Sequence, residues 1–93
     1  MSIEIEIQGK RARLTAAVAR ALHAETAAGE IERSNVCSLE ARAAIAAHAA
    51  SARTMLQHAS AGVMEFALAH AESHAESAEA WLSRLRGLAA EAD

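Results

Sequence analysis

A chain of 93 residues is long enough for one compact domain and too short for two, because cores of half this size would leave most of their surface wet. About 53% of it is hydrophobic, but 27 of those residues are alanine, with one Phe, one Trp and no Tyr, so a single copy has little large apolar surface to set against the entropy of ordering its backbone. The formal charge of −3 is concentrated in the last third, which disfavours nucleic acid as a partner, and no aromatic residues are interleaved with the basic ones to stack on bases.

At the N-terminus Ile3, Ile5 and Ile7 alternate with Glu4, Glu6 and Gln8, and Gly9 closes the run. Period-2 alternation predicts a short β-strand over residues 2–8, pairing with its twin across a two-fold axis. The alternative is a helix that starts early, with Ile3 and Ile7 one turn apart. The opening residues have neither a basic region nor an apolar one, so they do not read as a secretory signal, and a cytoplasmic location is the expectation.

The basic cluster Lys10, Arg11 and Arg13 precedes Leu14 and Thr15, where a helix over 15–28 is expected to begin; Gly29 suits its exit. A strand followed by helices in a dimer invites comparison with ribbon-helix-helix DNA binders. Glu4 and Glu6 would then be the outward strand residues, and acidic side chains fit the major groove poorly. Lys10, Arg11, Arg13 and Arg20 are more simply read as balancing nearby acids. The polar segment 30–34 predicts a connection, with Asn35 or Ser38 available as a cap. The lone Cys37 excludes an intramolecular disulfide and has no His or Cys after it at a metal-ligand spacing.

From 36 to 90 helix propensity is continuous, with no Pro and much alanine. At 100° per residue Ile45, Ala49, Ala52, Leu56, Val63, Ala67, His70, His74, Ala78, Trp81, Leu85 and Leu88 stay within about 40° of one line. Glu65, Glu72, Glu76 and Glu79 gather on the opposite side, as a solvated face would. The unbroken phase favours one helix of about 50 residues, roughly 75 Å long, covered by a partner chain. The alternative is a hinge at 60–62, where Gly62 costs about 1 kcal/mol relative to alanine, folding the halves into a hairpin. Heptads with Leu, Ile or Val at every a and d position are missing, so an antiparallel bundle is expected rather than a parallel zipper.

The unit His70-Ala71-Glu72-Ser73 recurs as His74-Ala75-Glu76-Ser77. Histidines at i and i+4 can grip one divalent transition metal, so His70 and His74 are the candidate metal ligands. Positions 77 and 78 supply no third ligand, Glu72 and Glu76 point away, and Ala71 stands where the HExxH motif needs Glu, so further ligands would have to come from a second chain's His70 and His74 or from His23, His48 or His58. The plainer reading places both histidines, neutral and hydrogen-bonded, at a helix interface. Nucleophile elbows, Gly-rich phosphate loops and paired carboxylates off the polar face are all missing, which argues against an enzyme. The longest uncharged stretch is about eleven residues, short of the roughly 20 that a membrane span requires.

The run Met64-Glu65-Phe66-Ala67-Leu68-Ala69-His70-Ala71-Glu72 is similar in cadence to the phasins, alanine-rich helical proteins that coat storage granules, and the likeness covers at most the last third of the chain. It implies an amphipathic helix adsorbed on a granule or membrane surface, with Phe66 about 80° from the apolar line. Taken together, the expectation is a mainly α, alanine-rich long-helix bundle or helical hairpin, forming an intertwined or antiparallel homodimer. Its expected role is a non-enzymatic adaptor or regulatory protein binding itself and another protein. The interface residues would be Ile45, Leu56, Val63, Trp81, Leu85 and Leu88, and the alternatives are metal binding and surface coating.

Overall fold

A computed structural model describes residues 3–32 and 38–92. Three helices, α1 (Ile3–Glu32), α2 (Leu39–His58) and α3 (Met64–Ala92), pack against one another, with a single 3₁₀ turn (Ala61–Val63) between the last two. The bundle is a rod of 55 × 18 × 16 Å.

The first correction falls on the N-terminal strand. Residues 3–8 are the opening turns of α1, and residue 2 lies outside the described residues. An Ile-Glu alternation also satisfies an i, i+4 spacing, and the helix uses only that part of the pattern: Ile7 packs on the core while Ile3 and Ile5 stay exposed. As a strand the segment would need a neighbour for its backbone N–H and C=O groups, and no strand exists among the described residues. As a helix it satisfies its own ladder, and Glu4 and Glu6 sit favourably in the first turn against the positive end of the helix dipole. The helix therefore exceeds 15–28 at both ends. Thr15 donates its hydroxyl back to the Arg11 carbonyl at 3.0 Å instead of capping a start, and Gly29 lies inside the helix.

The second correction concerns the long helix. The chain reverses at Ala59 and Ser60, whose extended backbone (ψ 131° and 168°) ends α2 and leads into the 3₁₀ turn. The Ala59 N–H reaches the Leu56 carbonyl at 3.4 Å and the Val63 N–H the Ser60 carbonyl at 3.1 Å. Gly62 follows the reversal instead of making it. At the other end of α2, Ser38 is the cap, accepting from the Ala41 N–H at 3.3 Å. Asn35 and the proposed helix start at Val36 lie outside the described residues, as does Cys37.

Folded this way, the apolar line of the second half of the chain is covered by the chain itself. On α1 the apolar inward residues Ile7, Leu14, Ala17, Ala21, Ala24, Ala28 and Ile31 fall on one seam of alternating three- and four-residue spacing, which Lys10 crosses at the rim and Val18 flanks. On α3 Met64, Leu68, Ala71, Ala75, Ala78, Leu82 and Leu85 do the same. The heptad repeat is present after all, written largely in alanine, whose small volume lets helix axes approach closely. Leu14, Ile45, Met64 and Leu85 are the largest fully buried side chains.

α1 and α3 run parallel, because their ion pairs advance together along the chain. Lys10 Nζ meets Glu65 at 2.7 Å, Arg13 meets Glu72 at 3.1 Å, and Arg20 Nε donates to Glu79 at 3.2 Å. Glu65, Glu72 and Glu79 recur every seven residues and flank the α1 seam, so this face is more than solvated charge. α2 runs antiparallel to both.

Candidate functional site

The structure gives the two histidines that the sequence placed together different ring partners. His70 is exposed and stacks its imidazole on Phe66, one turn earlier on α3, with ring centroids 4.1 Å apart. His74 turns toward α2 and meets His48: the two Nδ1 atoms are 2.9 Å apart, and the rings lie 5.1 Å centroid to centroid at 41°. Both rings are half-buried. At that distance one Nδ1 carries the proton and donates it while the other accepts.

The backbone under this pair is firmly placed. His48 precedes Ala49 and His74 precedes Ala75, both buried in the same core cluster. These alanines bring the two helices close, and the histidines sit just outside them at the edge of the seam. Burial first, and then the neighbouring His48 and His70, hold the His74 imidazole below the usual histidine range. At neutral pH His74 is uncharged and keeps a nitrogen lone pair available. Among the described residues no group of three or more His, Cys, Asp or Glu side chains converges as a metal-binding set.

His48, 26 residues from His74, was one of three histidines that could add to the candidate pair, and nothing local singled it out from His23 and His58. A signal existed: His48 lies thirteen residues before Ala61 and His74 thirteen after it, so any hairpin folded at that point brings them together. Once the fold-back is allowed, the pairing is a matter of counting.

A second feature lies at the end of the rod where α1 begins and α2 turns into α3. Ile3, Ile7, Val63 and Phe66 line an open hollow rimmed by Glu6, Lys10 and Glu65. It adjoins a second hollow formed by Met55, His58, Val63, Phe66 and Ala67. Ile3, Val63 and Phe66 are 72%, 45% and 61% exposed. The apolar surface therefore runs from α1 across the turn to α2.

The six interface candidates are divided among different places. Ile45 and Leu85 are fully buried within the chain; Leu56 and Trp81 are half-buried against its two core clusters. Trp81 also lies under the Arg84 guanidinium, 4.8 Å from the ring centroid. Val63 and Leu88 are exposed. Of the basic cluster, Lys10, Arg13 and Arg20 are engaged with α3 carboxylates. No helix among the described residues is long and apolar enough to cross a membrane.

No family model matches this chain, and no curated protein or solved structure is significantly similar to it.

Proposed function

We propose that this chain is a non-enzymatic helical adaptor that acts as a homo-oligomer, joining a second copy of itself through the apolar end of the rod. The observation that carries the reading is the continuity of exposed Ile3, Val63 and Phe66 with Met55 across the α2–α3 turn. Singly exposed apolar residues are ordinary on any protein surface, whereas a contiguous patch with a polar rim is the usual mark of an interface. A two-fold contact reuses one patch on both copies. The rim here holds both signs, Lys10 beside Glu6 and Glu65, so that it can meet its own image without like charges being forced together.

This places the second copy at the end of the rod, away from Ile45 and Leu85, which are already covered. The same cover weighs against the granule-coating alternative. α3 presents its apolar face to α1 and α2, and adsorption on a lipid or polymer surface would require the bundle to open.

Sedimentation equilibrium tests the proposal. The 9.7 kDa chain should show twice its mass at micromolar concentration, and a Val63→Glu, Phe66→Glu double variant should revert to the single mass with its helical circular dichroism intact. A wild-type chain that stays at 9.7 kDa up to millimolar concentration sinks the reading.

A further inference from the structure

We propose that His48 and His74 form a two-nitrogen site for one tetragonal divalent transition ion of the Cu(II) type, clamping α2 to α3. This inference stands apart from self-association through the end of the rod. Neutral imidazole nitrogen suits Cu, Ni and Zn, and the fold already holds two of them face to face at 2.9 Å. Metal–nitrogen bonds of about 2.0–2.1 Å at right angles put two cis donors about 2.9 Å apart, so an ion can take the place of the shared proton with little movement of the helices. Of Cu(II), Ni(II) and Zn(II), copper binds such imidazole donors most strongly.

The surroundings fit such an ion. Ala49 and Ala75, buried in one core cluster, anchor the helices beside the pair. Both rings are half-buried and so keep some contact with solvent, from which water would complete the coordination of the ion. Binding replaces the hydrogen bond without net loss of a proton. The ring that donates through Nδ1–H releases that proton to solvent and takes one at Nε2, after which both Nδ1 lone pairs face the ion. His70 takes no part, since its ring is stacked on Phe66 at the surface.

The test is a Cu(II) titration of the full chain and of three variants, followed by calorimetry and by electron paramagnetic resonance. Wild type should bind one ion per chain with a tetragonal nitrogen-ligated signal, and its melting temperature should rise with copper, because an ion that binds only the folded chain stabilises it. His48→Ala and His74→Ala should each weaken binding at least tenfold and abolish the copper-dependent rise; His70→Ala should change neither. Circular dichroism of the copper-free variants checks that they remain folded, and His48→Asn or His74→Asn replaces any alanine variant that does not. Loss of binding in His70→Ala with retention in His48→Ala would assign the ion to the α3 pair and overturn the proposal. Equal binding by all variants would place the copper elsewhere, with the same consequence.

Discussion

At the scale of single residues, large side chains are few and each one carries much of the core. Leu85 is fully buried in a cluster otherwise built from Ala24, Ala28, Ala41, Ala78, Ile45 and Leu82. Alanine neighbours have no rotamers with which to refill a void, so the cavity left by Leu85→Ala should persist. Urea denaturation should show a loss of roughly 2–5 kcal/mol, the range for deleting a buried leucine. A change below about 1 kcal/mol would mean that Leu85 is not packed as described. Ile45 and Leu85 lie on the apolar line as residues expected at an interface between copies, and both are buried within the single chain. What covers them could not be read from the line, because an intramolecular neighbour and a second copy demand the same pattern.

Among elements, the helices were legible and their ends were not. Abundant alanine and the absence of Pro announce helix, and Ser38 was recognisable as a cap. The reversal at Ala59 and Ser60 was legible as the alternative hinge at 60–62, and the unbroken helix was preferred to it because the phase count ran straight through. That count used 100° per residue, whereas bundle contacts recur every 3.5 residues and drift by about 20° per heptad against it. The drift explains why on α3 the line takes in exposed Val63 and His70 and half-buried His74 in place of the buried Met64, Leu68, Ala71 and Ala75, and meets the core at Ala67, Ala78 and Leu85. Glycine misled in the opposite direction. Gly9 and Gly87 sit inside helices, and a Cβ added to either would meet nothing within 4 Å. Gly9→Ala and Gly87→Ala should each stabilise the fold by about 0.5–1 kcal/mol, visible as a melting point several degrees higher. A lowered melting point in either would show that the glycine is needed where it stands.

For the whole molecule, the arrangement depends on contacts between residues 55 to 59 apart, the ion pairs that set α1 in register with α3. The basic cluster Lys10, Arg11, Arg13 and Arg20 and the acidic run Glu65, Glu72 and Glu79 were visible in the sequence, but their pairing was not, because it follows from the fold-back. The Arg20 guanidinium, by its hydrogen bonds and charge, holds the Glu79 carboxyl below the usual carboxylate range against a smaller opposing effect of burial. Lys10 does the same for Glu65. A carboxylate with a depressed folded-state pKa binds fewer protons folded than unfolded, so its stabilisation is complete above the unfolded value of about 4.5 and fades as pH falls through the folded one. Both pairs are solvent-exposed and the effect is small and screened by salt. Melting temperature should therefore fall below about pH 4.5, and an Arg20→Gln, Glu79→Gln variant should lose part of that dependence. An identical acid profile in the variant would show that the ladder contributes nothing to pH stability.

The parallel course of α1 and α3 also decides where the chain leaves the bundle. Ile3 lies beside the α2–α3 turn, while α3 carries Ala92 away to the far end of a rod 55 Å long. Segments joined before Ile3 and after Ala92 would depart from opposite poles and could not touch through short tethers. In a fusion the bundle would act as a spacer: a donor fluorophore before residue 3 and an acceptor after residue 92 would be held apart, where an up-and-down hairpin of two helices would bring them together.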